Sequence, residues 1–163
     1  MSLEAALWFL PFVTPICIWV AWSDLKFMKI PNMAVYALVA VFVVVGLIAL
    51  PFQEYLSRYV NIVVVLAIGF VLNLRRMVGA GDAKFAAAMA AFVPAGGVID
   101  ILMVFAGVLL GAFATHRIFR ALPALRGAGS DWASWTHARF PMGFALGGTL
   151  LLYIILSIAL AEA

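Results

Sequence analysis

The sequence predicts an all-α protein, built as a polytopic membrane helix bundle with about six transmembrane helices. Two features of its composition support this fold class. Hydrophobic residues make up 67% of the chain and charged residues only 10%, and the mean hydropathy is +1.19. These values lie far from those of soluble domains. The 163 residues have room for several spans of about 20 residues, so we expect a single integral-membrane domain over residues 1–163.

Six apolar stretches provide the third observation. They cover about residues 5–22, 33–52, 59–74, 83–98, 99–115 and 140–161. The first lacks a basic flank and a small-residue cleavage site, so we expect it to stay in the mature chain. The apolar run 85–115 is too long for one span. Pro94, Gly96 and Gly97 fall where the chain must reverse, and we therefore predict two helices there.

The basic residues test this count, because short cytoplasmic loops collect Lys and Arg. With the N-terminus outside, only Arg58 falls on the outer side. The inner loops hold Lys26, Lys29, Arg75, Arg76, Lys84, Arg117, Arg120, Arg126 and Arg139. Merging the fourth and fifth stretches would move the last four arginines outside. We therefore predict six spans with both termini outside. The net charge of +3 reflects this orientation rather than binding of nucleic acid, because no basic face forms.

Small and polar residues inside the stretches predict helix packing. Gly107 with Gly111, and Gly143 with Gly147, are four residues apart, which favours close approach of helices. Asn61 and Asn73 are most simply donors of hydrogen bonds between helices, and Cys17, the single cysteine, is expected to face lipid or the core. One cysteine allows neither an intramolecular disulfide nor a Cys-based metal site.

The longest polar segment, residues 116–139, is predicted on the inner side. Trp132 and Trp135 are three residues apart, so they would share one face of a helix lying at the membrane surface. A plain connector remains an equal alternative. His116 and His137 flank this segment, and interfacial or loop positions explain them better than a metal site does.

The acidic residues divide between the two sides of the membrane. Glu4, Glu54, Asp100 and Glu162 are predicted outside, near loops or ends. Asp24 in "WSDLKFMKIPN", Asp82 in "GAGDAK" and Asp131 in "GAGSDW" are predicted inside. Asp131 fits a helix cap or a solvated loop. Asp24 and Asp82 each lie at a membrane boundary, so we expect their carboxyls at the same depth.

Asp82 and its glycines have more than one interpretation. Aspartate is a favoured N-cap, and Gly79 and Gly81 would then form a tight turn into a helix starting near Ala83. Alternatively, the two glycines let the backbone of an extended substrate approach closely. A phosphate cradle is disfavoured, because the charge of Asp82 repels an anion. Asp24, considered alone, is predicted to be an ordinary charged residue of a loop.

Taken as a pair, the two aspartates indicate acid and base chemistry. Two carboxyls held close in a partly desolvated site share one proton, and this supplies a base and an acid. The base can activate water against an amide carbonyl, while the acid protonates the carbonyl oxygen. Lys26 and Lys84 each lie two residues beyond an aspartate, and residues at this spacing point to different sides of a helix. We expect these lysines to reach toward lipid headgroups.

These motifs resemble the type IV prepilin peptidase family. The resemblance rests on "SDLKFMKIPN" after the first span, on "GAGDAK", which matches a Gly-x-Gly-Asp signature, and on "FPMGFALGG" at the last span. It implies that Asp24 and Asp82 are the catalytic dyad and that Gly79 and Gly81 shape the loop beside it. It also implies that the protein removes short, charged leader peptides from prepilins and pseudopilins, at the cytoplasmic face of the bacterial inner membrane.

The resemblance is strongest to the short, Flp or tight-adherence branch. Long members of the family carry a cytoplasmic segment with cysteine pairs and methylate the new pilin N-terminus. This chain starts almost directly with its first span and has no cysteine pair, so methylation is not expected. The dyad needs no cofactor or metal, and the expected partners are prepilins and membrane lipids.

Two other function classes stay open at this point. The aspartates could hold Mg²⁺ for phosphoryl transfer on lipid headgroups. They could also be proton or ion sites in a small transporter or a secretion or pilus assembly factor.

Overall fold

The protein folds into a bundle of α-helices. The structure, a computed structural model, describes residues 1–161, apart from the side chains of Leu125 and Ala128. Over these residues it contains six α-helices and no β-strand: α1 (Leu3–Phe27), α2 (Asn32–Ala49), α3 (Phe52–Leu74), α4 (Ala80–Ala90), α5 (Val98–Ala121) and α6 (Met142–Ala159). The prediction of an all-α membrane helix bundle is confirmed. Glu162, predicted outside the membrane, lies beyond the described residues.

Five segments are long and apolar enough to cross a membrane, namely α1, α2, α3, α6 and the segment Ala95–Ala121, which joins a 3₁₀ turn to α5. The remaining helix, α4, has only 11 residues. At 1.5 Å per residue it is about 16 Å long, roughly half the ~30 Å hydrocarbon core. The predicted fourth stretch, 83–98, is therefore helical only as far as Ala90, and its helix begins earlier, at Ala80.

Two side chains of α3 cap the carboxyl end of α4. The Asn61 side-chain amide donates to the Val93 carbonyl at 2.8 Å, and the Arg58 guanidinium donates to the Ala91 carbonyl at 3.3 Å. Such donors satisfy carbonyls that a membrane interior leaves without water, so the helix can stop inside the membrane. Arg58, predicted in an outer loop, is instead buried on α3 and pairs with Glu54 at 2.5 Å.

The predicted hydrogen bonds and glycine contacts are only partly correct. Asn61 bonds between helices as predicted, but Asn73 donates to the nearby Val78 carbonyl, within the connection from α3 to α4. A Cβ on Gly147 would lie 2.8 Å from the Cys17 carbonyl oxygen, so α6 packs closely on α1 as predicted. Gly107 and Gly111 have no atom within 4 Å of their Cβ positions. The prediction of close helix packing at Gly107 and Gly111 is therefore wrong within the described chain.

Consecutive helices run antiparallel, so the bundle has two distinct ends. Gly143 at the start of α6 lies against Asp24 near the end of α1, and Ala83 at the start of α4 lies against Gly69 near the end of α3. We call the end where α1, α3 and α5 finish the site end. All nine basic residues predicted on the inner side lie there, together with Asp24 and Asp82. The first helix begins, and the last helix ends, at the opposite end.

The segment between α5 and α6 also lies at the site end. It contains no α-helix, so the predicted surface helix is wrong, and it connects α5 to α6 through three 3₁₀ turns at Pro123–Leu125, Gly127–Gly129 and Ala133–Trp135. The rings of Trp132 and Trp135 are nearly parallel, with centroids 6.1 Å apart. The Trp135 indole donates to the Gly129 carbonyl at 2.6 Å, which closes the segment on itself.

Candidate functional site

Asp24 lies in the last turn of α1 and is only 5% exposed. Its Oδ2 atom accepts a hydrogen bond from the Gly143 backbone amide at 2.6 Å. Gly143 is the second residue of α6, where backbone amides have no partner within the helix. The positive end of the α6 dipole therefore faces the Asp24 carboxyl.

The turn after Asp24 is fixed by two hydrogen bonds. Met28 adopts a left-handed conformation, with φ of 55°, and its amide donates to the Asp24 carbonyl at 2.9 Å. This geometry ends α1. The Ser23 hydroxyl, buried beside Asp24, donates to the Lys29 carbonyl at 2.9 Å. Together these bonds turn the chain back after α1, so that Ile30 lies at the site end of the bundle.

Asp82 is the third residue of α4 and is half-buried. The helix begins after Gly79, which is its N-cap, so the interpretation of Asp82 as the N-cap residue is wrong. A Cβ added to Gly79 would lie 2.6 Å from Asp82 Oδ2, because the carboxyl folds back over this glycine. Burial raises the pKa of Asp82, and a hydrogen bond from the Gly79 backbone partly opposes this shift.

Ile30 connects the surroundings of the two aspartates. Its Cβ lies 3.4 Å from the Cβ position of Gly81, next to Asp82, and its Cδ1 lies 3.0 Å from that of Gly143, which bonds Asp24. The structure therefore brings the four residues predicted from the sequence, Asp24, Gly79, Gly81 and Asp82, to one place at the site end.

A cavity of about 580 Å³ opens beside Asp82. Its walls come from α3, α4, α5 and α6, and nearly all of them are apolar. It extends along α4 from Asp82 to Ala90 and Val93, with Asn61 at the far end and Met142 of α6 near the aspartate. Asp24 does not line this cavity, so Asp82 is the member of the pair that faces it.

The two nearby lysines point away from the aspartates, as predicted. Lys84 is exposed and its ammonium donates to Asn32 Oδ1 at 3.4 Å. The ammonium of Lys26 lies over the Trp22 ring, 5.1 Å from its centroid. Within residues 1–161, neither Asp24 nor Asp82 forms an ion pair. Neither carboxyl is therefore neutralised by one of these lysines.

The other predicted candidates do not assemble into a site. His116 is buried and stacks on Trp135 with ring centroids 4.9 Å apart, while His137 is exposed. Asp131 is exposed in the segment between α5 and α6. The described part of the chain contains no group of three His, Cys, Asp or Glu residues suited to a metal ion.

Sequence reasoning missed three residues that build the site. Gly143 was expected only to pack helices, yet its amide bonds Asp24. Ser23 and Ile30 both lie within the motif "SDLKFMKIPN", which predicts no contact for either. The Ser23 hydroxyl holds the turn after α1, and Ile30 packs between the two aspartates' neighbours Gly81 and Gly143. The Pro-x-Gly pattern at residues 141–143 was the one signal available for Gly143, since a backbone amide has no side-chain signature.

A model of the type IV leader peptidase family matches residues 12–116. The matched region contains Asp24, Gly79, Gly81 and Asp82, and it ends before Gly143. No curated protein and no solved structure matches the chain significantly.

Proposed function

The chain belongs to the type IV leader peptidase family, and from this premise we propose that it is a membrane aspartyl endopeptidase. It removes the leader peptides of prepilins and pseudopilins at the cytoplasmic face of the bacterial inner membrane. Asp24 and Asp82 are its catalytic dyad. The observation that carries the proposal is the convergence of these two desolvated carboxyls, from α1 and α4, at one end of the bundle.

The proposed chemistry needs only the two carboxyls and one water molecule. The ionised carboxyl takes a proton from water as the water oxygen attacks the scissile carbonyl carbon, and the protonated carboxyl gives its proton to the carbonyl oxygen. When the tetrahedral intermediate collapses, the carboxyl that took the proton from water gives it to the leaving nitrogen and the C–N bond breaks. The other carboxylate takes a proton from a hydroxyl of the intermediate, so the dyad again holds one proton. The burial of Asp24 and the partial burial of Asp82 support this scheme, because two desolvated carboxyls held close share one proton.

The cavity beside Asp82 supports a substrate that is partly embedded in the membrane. Its apolar walls extend from the aspartate along α4, into the depth of the bundle. We propose that an unwound apolar segment next to the scissile bond occupies this cavity. Gly79 and Gly81 lie where α4 begins, beside Asp82, and we propose that the extended backbone of the substrate binds along this part of the chain.

The charges at the site end support the proposed orientation. Nine basic residues share this end with the dyad, and cytoplasmic loops collect basic residues. We propose that residues 1–163 act as one peptidase unit, because α6, beyond the matched region, supplies the amide that bonds Asp24. We further propose Flp-type pilins and pseudopilins as the substrates.

A processing assay tests the function. The full-length protein is co-expressed with a small pilin precursor, and leader removal is followed as a shift on a gel. Asp24→Asn and Asp82→Asn should each abolish the shift while protein levels stay unchanged, and Asp131→Asn, an exposed aspartate at the same end, should process normally. Cleavage should also survive excess chelator. Leader removal by either dyad variant would contradict the proposal.

A further inference from the structure

A second groove lies on the opposite face of α4 from the Asp82 cavity. Lys84, Ala87 and Ala88 form its floor, whereas Asp82, Ala86 and Ala90 face the cavity described above. Residues two apart on a helix point to different sides, so α4 separates the two spaces. The second groove has a volume of about 540 Å³, and we call it the α2–α4 groove.

The walls of the α2–α4 groove are apolar over the depth of one membrane leaflet. α2 contributes residues from Asn32 to Val44, and α3 contributes Ile62 and Leu66. Asn32 and Val44 are twelve steps of about 1.5 Å apart along α2, so the groove extends about 18 Å, a little over half of the ~30 Å hydrocarbon core. At the far end α2 and α3 come together, where the Tyr55 hydroxyl donates to the Val43 carbonyl at 3.1 Å. The groove is therefore open at the site end and closed near the membrane midplane.

The open end of the groove carries a cation. Lys84 is exposed there, and its ammonium has three donors, of which one reaches Asn32 Oδ1 at 3.4 Å. Tyr36 is 63% exposed at the same end, and tyrosine is typical of the level of lipid headgroups. The groove therefore combines an apolar channel with a positive charge where a headgroup would lie.

We propose that the α2–α4 groove binds an anionic phospholipid, with one acyl chain along α2 and α3 and the phosphate at Lys84. The order of groups along the groove favours a lipid, because a single cation at the open end leads into apolar walls, as a headgroup leads into an acyl chain. The charge favours an anionic headgroup, because basic residues near the membrane surface attract anionic lipids.

Native mass spectrometry of the full-length protein tests the headgroup contact. The purified protein is titrated with phosphatidylglycerol or phosphatidylcholine, and retained lipid is counted. The wild type should retain phosphatidylglycerol preferentially, and Lys84→Gln should weaken this preference by roughly five-fold. Lys84→Arg should keep it, as should Lys29→Gln, which removes an exposed charge outside the groove. An unchanged preference in Lys84→Gln, or an equal loss in Lys29→Gln, would overturn the proposal.

A second pair of variants tests the acyl-chain contact. Ala40→Trp fills the groove from an exposed position on α2, and it should reduce retention of both lipids. Leu47→Trp, exposed on α2 outside the groove, should not. Photo-crosslinking from position 40 in membranes should label lipid. Crosslinks to a protein segment instead would show that a helix occupies the groove, and would refute the lipid site. None of these readouts depends on peptidase activity.

Discussion

The Asp24 carboxylate accepts a hydrogen bond from the Gly143 amide at 2.6 Å, across 119 residues of sequence. This contact joins the end of α1 to the beginning of α6, and it fixes one oxygen of the buried carboxyl. The amide is available because the first turn of a helix leaves its N–H groups without partners. The carboxyl of the second proposed catalytic residue, Asp82, lies instead over Gly79 at the start of α4.

Gly143→Ala should impair catalysis more than folding. The new Cβ would lie 2.9 Å from the Asp24 Cβ and 3.0 Å from Oδ2, so the carboxyl or the two helices must shift. A displacement of this size in a catalytic group costs roughly 10- to 100-fold in rate. Leader-cleavage kinetics in detergent should show the loss in kcat. Gly107→Ala, where the Cβ meets open space, serves as the control and should cleave at the wild-type rate.

The two glycines before Asp82 should differ in their effects. An alanine at position 79 would place its Cβ 2.6 Å from Asp82 Oδ2 and force the carboxyl to turn away. The backbone at position 79 has φ of −67° and ψ of 145°, which any residue adopts, so the fold should tolerate the change. We expect kcat to fall roughly 10- to 100-fold.

Gly81→Ala meets Ile30 at 3.4 Å, an ordinary contact, so its kcat should stay near the wild-type value. If the substrate passes over this glycine, the added methyl group should raise KM instead. Equal losses of kcat in the two variants would show that the Asp82 carboxyl is not the group displaced by the alanine at position 79.

Asp82→Asn should alter the pH dependence of stability. The pKa of Asp82 in the fold is raised above its ordinary value of 3.8, so the folded protein holds this proton more tightly than the unfolded chain. The resulting stabilisation is complete below the unfolded pKa and is lost as pH rises through the folded pKa. Asn stays neutral, so the variant should unfold at the same or a higher temperature than the wild type at about pH 8, with a smaller difference near pH 4.

Thermal unfolding in detergent at several pH values measures this effect, with the exposed Asp131→Asn as a control that should show no such trend. Suppose that Asp82→Asn becomes less stable than the wild type as pH rises. The charge of the Asp82 carboxylate would then stabilise the folded protein. Such a result would contradict the desolvated environment described above.

Arg58→Gln should destabilise the fold. Arg58 is 1% exposed and donates to the Ala91 carbonyl beyond the end of α4, and its loss leaves that carbonyl without a donor inside the bundle. Buried groups left unsatisfied cost about 1–3 kcal/mol. Thermal unfolding should reveal this loss, whereas Arg75→Gln, exposed at the end of α3, should change stability by less than about 0.5 kcal/mol. Equal effects would argue against capping of α4 by Arg58.

Much of the fold could be predicted because membrane insertion follows local composition. Hydropathy located the five long spans, and Pro94 with its neighbouring glycines marked the end of α4 within a few residues. The length of α4 could not be predicted, because the helix ends where α3 supplies Arg58 and Asn61 as donors. Gly107 and Gly111 show the reverse error, since a small-residue pattern predicts packing whether or not a partner helix lies opposite.

Hydropathy and short motifs are local properties of the chain. They predict the class of the protein, the end of the bundle where its charges gather, and the two aspartates proposed to act there. The contacts of these residues come from the fold, in which Asp24 is held by Gly143, Asp82 faces a cavity, and Lys84 faces a different groove. Each of these contacts depends on which faces of α1, α4 and α6 meet, and no local pattern predicts it, because packing between distant helices sets those faces.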